Sequence, residues 1–314
     1  MATSGSINFS QTRSQLIEDA FADLGIYGIG RTVSDEDMQF ASNKLNKMIK
    51  SWSTKGLHLW CKEEAVLYVQ PDTSTYLLGS TAKSTKASDE VITSLNGAHA
   101  AGSLTLTVDS TSYMTVADKI GIVLSDKTIY WTTISTIPGS TSVTIPASGL
   151  SGAASDNALV YTYTSVLAKP LRILDARRRT GIGDSIIDLP ISEVAYQDYQ
   201  NFPVKSPGTS PTQFNYKPAS SYGSLYLWPC PSDGAERIHF TYERVIEDLD
   251  NPSDDFDFPQ EWLEPVEYQL AVRLARPFGK AAALQDLLPM ASTMLNDLLA
   301  WDAEKSPIQM EPQL

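Results

Sequence analysis

Apolar side chains in residues 10–60 recur every three or four positions. Leu16, Ile17, Ala20, Phe21 and Leu24 make one stripe, and Met38, Ala41, Leu45, Met48, Ile49 and Trp52 make a second. That spacing predicts two amphipathic helices. Ser10 is expected to cap the first. Gly25, just past its last apolar position, suits the left-handed residue that commonly ends a helix. Ser34 is expected to open the second, where Asp35, Glu36 and Asp37 place negative charge at the favourable end of the helix dipole. Gly56 is expected to end that helix, and Leu57, Leu59 and Trp60 lead into a strand at 63–69.

Between residues 81 and 165 the pattern changes to short runs rich in Val, Ile, Thr and Tyr, at 103–108, 119–124, 128–134, 142–145 and 159–164, with turn formers between them. Regular spacing of this kind predicts a small β-sandwich or barrel. Strand-like runs flank the segment at Thr75 to Leu78 and at Leu171 to Leu174, and are expected to pair in a sheet that the module interrupts. The chain is therefore read as a discontinuous core, 1–80 and 166–314, with an all-β domain inserted at 81–165. An insertion costs little when its own ends lie close together.

Beyond residue 166, strands are expected at 213–216, 225–228 and 237–244, a short helix at 192–200 capped by Ser192, and an acidic loop at 248–258. Trp262, Val266, Leu270, Leu274 and Phe278 return to helical spacing behind Pro259. A last helix is expected over 281–302, and Pro289 should kink or divide it. Residues 303–314 are read as an extended tail. The fold class is α+β: a helical bundle from the N- and C-terminal helices, a small β-sheet, and the inserted sandwich or barrel-like domain.

Composition narrows the chemistry. The 314 residues are 42% hydrophobic and 19% charged, with a net charge of −13. Such acidity argues against a dedicated nucleic-acid reader, which carries a basic face, yet suits a surface past which DNA slides, because like charge disfavours phosphate contacts. The polar residues 1–11 show no secretion signal, and no apolar run reaches the roughly 20 residues of a membrane helix. Cys61 and Cys230 are read as reduced core thiols, and the scattered His58, His99 and His239 fit no zinc spacing. No cofactor and no metal are expected.

Few motifs carry chemistry. Gly28 with Gly30 and Gly181 with Gly183 do not extend to a dinucleotide fingerprint and read as turn glycines. The acidic groups at 35–37 and 254–257 sit beside helix starts, where dipole compensation explains them better than a glycosidase pair. Arg177, Arg178 and Arg179 form the only basic run. Its readings are contact with DNA phosphates, contact with an acidic neighbouring subunit, or a solvated strand end. The aromatics at Tyr196, Tyr199, Phe202, Phe214, Tyr216, Tyr222, Tyr226 and Trp228 read as packing or as a stacking platform.

The helical pair resembles the N-terminal signature of the head-to-tail adaptor (head-completion) proteins of short-tailed, podovirus-type bacteriophages. The matching residues are Leu24 with Gly25, Ser34 with Asp35 and Glu36, Ala41, Leu45 with Asn46, Trp52, Gly56 with Leu57, and Trp60. Later pieces follow in the same order: Asp188, Leu189 and Pro190; Pro211, Thr212 and Gln213; Trp228 with Pro229 and Pro231; Phe258, Pro259 and Trp262; Arg273 and Leu274. A compact adaptor lacks the 81–165 module, which resembles small β-modules inserted in phage virion proteins.

The resemblance implies a structural virion protein without catalytic residues. It would form a homo-oligomeric ring, expected to be twelve-fold, between the portal protein and a tail or nozzle protein. The ring would extend the channel for double-stranded DNA, which passes without specific binding, and close the filled head. The expected location is the head–tail junction of the virion, assembled in the host bacterial cytoplasm, with no membrane partner. The last helix and tail are expected to dock on the portal through Trp301, Ile308 and Met310, and Arg177, Arg178 and Arg179 are expected to meet the portal or a neighbouring subunit. Two other readings stand beside this one: a receptor-binding or capsid-decorating protein using the β-module, and a cell-wall hydrolase.

Overall fold

The computed structural model describes residues 5, 9–28, 30–52, 59–79, 85–87, 90–205 and 208–301. Among them lie five α-helices: α1 (Arg13–Asp23), α2 (Asp35–Trp52), α3 (Tyr196–Asn201), α4 (Leu263–Ala275) and α5 (Leu284–Trp301). The strands are β1 (Lys62–Tyr68), β2 (Thr75–Leu78), β3 (Thr85–Ala87), β4 (Val91–Ser94), β5 (Thr105–Thr107), β6 (Lys119–Val123), β7 (Ile129–Thr133), β8 (Thr136–Gly139), β9 (Ser142–Thr144), β10 (Leu159–Tyr163), β11 (Arg172–Thr180), β12 (Ile187–Glu193), β13 (Gln213–Pro218), β14 (Gly223–Trp228) and β15 (Arg237–Glu243). The class is mixed α+β. The chain divides into two compact units, Met1–Cys61 with Val245–Leu314, and Lys62–Arg244.

In the first unit the apolar stripes from the two ends of the chain meet. Leu16, Phe21, Leu45, Met48, Val266, Leu270 and Leu274 are wholly buried in one cluster, to which α5 adds Leu298 and the half-buried Leu284, Leu287 and Leu295. The Trp262 ring lies 4.6 Å from Trp60 and 5.9 Å from Trp52, centroid to centroid. The cap of α1 is Thr12, not Ser10: Thr12 Oγ1 accepts from the Gln15 N–H while the Gln15 side chain accepts from the Thr12 N–H. This reciprocal pair needs its residues three apart, and Ser10 sits too early to join it. Ser34 does open α2, its hydroxyl accepting from the Asp37 N–H at 3.3 Å. Gly25 takes φ +60° at the end of α1.

The acidic loop is stitched to these helices. The Asn46 side chain accepts from the Leu249 N–H and donates to its carbonyl, and Arg13 donates to the same carbonyl at 2.9 Å. Lys50 pairs with Asp248 at 2.9 Å. Pro289 does not divide the last helix: α5 continues through it from Leu284 to Trp301. The proline lies in the second turn, where its missing N–H removes one backbone bond, and the Thr293 hydroxyl donates to its carbonyl at 2.9 Å.

The second unit is built on an eight-stranded sheet, larger than the small sheet expected, in the order β2-β14-β13-β12-β11-β15-β1-β3. One core takes Tyr76 and Leu78 from β2, Leu225 and Leu227 from β14, Leu67 from β1, and Ile238 and Phe240 from β15. Strands from both halves of the order share that core, Ile191 of β12 among them. The runs at Thr75 and Leu171 belong to this one sheet but do not pair: Tyr76 lies opposite Leu225, and Arg172 opposite Glu243. Lys62 also lies opposite Glu243, so the first and last strands of the unit are neighbours. The expected helix at 192–200 starts later, at Tyr196, because β12 continues through Glu193 and the Ser192 N–H is taken by the Thr212 carbonyl.

The strand runs between 103 and 164 all form strands, arranged as β4-β10-β6-β7 and β5-β9-β8 around Leu95, Leu106, Ile120, Ile122, Val143 and Val160. β8 was not foreseen. It contains Pro138 and lies at a sheet edge, where the missing N–H is tolerated. A second apolar cluster joins Val66 and Tyr68 of β1 to Val123, Ile129, Tyr161 and Tyr163. The Gln70 side chain donates to the Ile129 carbonyl at 2.8 Å and accepts from its N–H at 3.0 Å.

Candidate functional site

Side chains alternate across a strand, so registry alone sorts the three consecutive arginines of β11. Arg177 lies opposite His239, and Arg179 lies between Arg237 of β15 and Asp188 of β12. These groups share one face with Glu64 of β1. Arg178 turns to the other face.

Each arginine of the run already meets a carboxylate. Arg179 grips Asp188 through two bonds of 2.7 Å. Arg177 reaches both oxygens of Glu64 at 2.9 Å and stands 3.4 Å from Asp188. Arg178 lies 3.4 Å from Glu236, a largely buried carboxylate that also accepts from the Ser210 hydroxyl. The paired guanidinium of Arg179 holds the Asp188 carboxyl below the usual carboxylate range, whereas burial raises that of Glu236.

Further along the ladder the groups are enclosed. Arg237 has no exposed surface. Its Nη2 donates to the Gly181 carbonyl at 2.9 Å, its guanidinium lies over the Tyr161 ring at 5.7 Å, and its Nε is 3.9 Å from Glu90. Burial and the three guanidiniums of Arg179, Arg237 and Arg177 push His239 down to about 3. Glu90 stands 3.6 Å from His239 Nε2 and does not offset them, so this imidazole is neutral at pH 7.

The hairpin that carries the ladder also exposes apolar side chains. Ile186, Ile187 and Leu189 are exposed. In the helical unit, Met290 and Trp301 of α5 are exposed, Trp301 at 66%. They lie eleven residues apart, which at 3.6 residues per turn returns nearly to the same direction. Ile308 and Met310 fall outside the described residues.

The structure thus brings Arg177 and Arg179 together on Asp188, sets Arg178 on the opposite face, and places Trp301 in the other unit. The sequence had not singled out Glu64, Glu236, Arg237 or Glu90. Nor had it singled out a carboxylate group on α1 and α4, where burial together with Asp23 and Asp19 pushes Glu267 up to about 7. The sequence signal for the ladder was the basic run alone; its partners lie many residues away and only registry reveals them.

Among the described residues no group of three or more His, Cys, Asp or Glu side chains is placed to hold a metal ion. No helix among them is long and apolar enough to cross a membrane. Cys61 and Cys230 are buried thiols rather than a disulfide. No curated protein matches the chain. The family model for the SU10 adaptor protein matches residues 123–310, more than half of the chain. That match takes in the arginine ladder, α4 and α5, and begins after α1 and α2.

Proposed function

The chain belongs to the SU10 adaptor protein family, a structural family of bacteriophage adaptors, and from this membership we propose that it forms a ring joining the portal to the tail. The ring is twelve-fold, belongs to a short-tailed phage, continues the DNA channel and closes the filled head at the head–tail junction. The family match carries this reading. The net charge of −13 supports it, since an acidic lumen lets double-stranded DNA pass without holding it. The arginine ladder supports it as well, because its cations are engaged by Asp188, Glu64 and Glu236 rather than arrayed for phosphates.

On this reading α5 presents Met290 and Trp301 to the portal, and residues 81–165 are a module inserted into the adaptor core. Negative-stain imaging of the protein mixed with the portal of its own phage tests it. A ring coaxial with the portal is the expected result, and a monomer indifferent to the portal would overturn it.

One observation favours a second role for the module. Tyr113 is 91% exposed at φ +66°, beside the exposed Val116. An aromatic held out in this way suits contact with a cell-surface or capsid component. On that role Tyr113→Ala in the full chain abolishes binding to host cells, and undiminished binding in a cell pull-down would overturn it.

A further inference from the structure

Within the helical unit, the first turn of α1, one face of α2 and the acidic loop line a pocket of about 460 Å³. The α2 residues that line it include Met38, Gln39, Ser42, Asn43 and Asn46. They recur three and four apart, so they form one stripe along the helix, polar and uncharged except for Met38. Leu249, Asp250 and Pro252 line the pocket from the loop.

Arg13 lines it too, and only 8% of that residue is exposed. Its Nη1 donates to the Leu249 carbonyl, which also accepts from Asn46, so the guanidinium lies beside the α2 stripe. Its Nε is buried without a hydrogen-bond partner. Among the described residues no carboxylate comes within ion-pair distance of Arg13. Asp254 directs its carboxylate elsewhere, to the N–H groups of Asp250 and Asn251 and to the Asn251 side chain. A guanidinium so enclosed is ordinarily paired. The end of α1 adds nothing for a ligand, because the N–H groups of Arg13 and Ser14 already donate to the Asp254 and Pro252 carbonyls. The unengaged donors at the pocket are the guanidinium and the exposed amides of Gln39 and Asn43, whose side chains bond to no other described residue.

We infer that this pocket binds a carboxylate carried on a glutamate or aspartate side chain of a partner protein. The fork of Arg13 and the two amides supply donors for both carboxylate oxygens. Met38 and Pro252 give the methylene stem an apolar wall. Asp35 and Asp250, both exposed at the pocket, limit the charge it accepts: a doubly charged phosphate meets more repulsion there than a singly charged carboxylate. The site stands on the helical unit alone and does not depend on the ring reading.

Calorimetric titration of the full chain with Nα-acetylglutamate N-methylamide tests it. Saturable binding is expected, with the glutamine counterpart and inorganic phosphate each about tenfold weaker or more. Arg13→Gln should abolish binding. Arg13 also holds the loop, so two exposed side chains give a second readout at unchanged melting temperature. Asn43→Ala should weaken binding, and Asp250→Asn should strengthen it roughly threefold by removing a like charge. The inference is overturned if no saturation is seen, if the glutamine counterpart or phosphate binds as tightly, or if neither exposed substitution changes the affinity. Free glutarate binding tighter than the capped residue would overturn the protein-borne source.

Discussion

The helical unit and the sheet unit arrange their charges in opposite ways. On α1 and α4, Asp19, Asp23, Glu264 and Glu267 crowd together with one sign, and Glu267 is raised to about 7. On β11, β12 and β15, opposite signs interleave, and the neutral His239 is depressed to about 3. Opposite pH responses follow. A carboxyl raised in the folded state binds more protons folded than unfolded, so its contribution is present below the usual carboxylate range and lost as pH rises toward 7. The depressed imidazole binds fewer protons folded than unfolded, so its penalty grows as pH falls below 6.5. Asp188, lowered by Arg179, adds to the acid-side loss, while the raised Glu236 opposes it. Burial and neighbouring carboxylates make the helical unit base-sensitive through Glu267, whereas burial and neighbouring guanidiniums make the sheet unit acid-sensitive through His239.

The sharpest way to break this contrast is Arg237→Ala. Removing a wholly buried cation beside Glu90 should cost about 3–5 kcal/mol in urea denaturation at pH 7; a loss under 1 kcal/mol would show that the ladder does not depend on pairing. Asp188→Asn should cost about 1–2 kcal/mol, less because its side chain is partly exposed, since Arg177 and Arg179 lose their shared partner. Glu267→Gln should act in the opposite direction. Stability should rise by about 1 kcal/mol or less at pH 8, and the decline between pH 4.5 and 7 should flatten. The smallest effect is expected from His239→Gln: nothing at pH 7, and a gain over wild type appearing only below pH 6. A melting series from pH 4 to 8 reads both variants, and the contrast fails if their slopes change in the same direction.

Much of the fold was legible in the chain because its signals are local. The stripes of α1, α2 and α4 and the short β-runs between 103 and 164 each declare themselves within a dozen residues. What escaped depends on distant partners. Arg177, Arg178 and Arg179 read as a basic run ending at a turn, yet β11 continues through all three, because Glu64, Asp188 and Glu236 meet them from three other segments. The runs at Thr75 and Leu171 look like neighbours across an insertion, but the register that buries Tyr76 against Leu225 sends them to different places in the sheet. Glu267 escaped for a similar reason. Its neighbours Asp19 and Asp23 lie on a helix from the far end of the chain.

The meeting of both chain ends in one apolar core has a consequence for synthesis. α1 and α2 leave the ribosome first, but Leu16, Phe21, Leu45 and Met48 are covered by α4, about 200 residues later. At about 5–20 residues per second that is a wait of roughly 10–40 s. Lys62 opposite Glu243 means that the intervening unit, once folded, delivers the two segments side by side. Until then the nascent chain carries an uncovered stripe, so its yield should depend on translation speed and on chaperones that shield early-emerging helices.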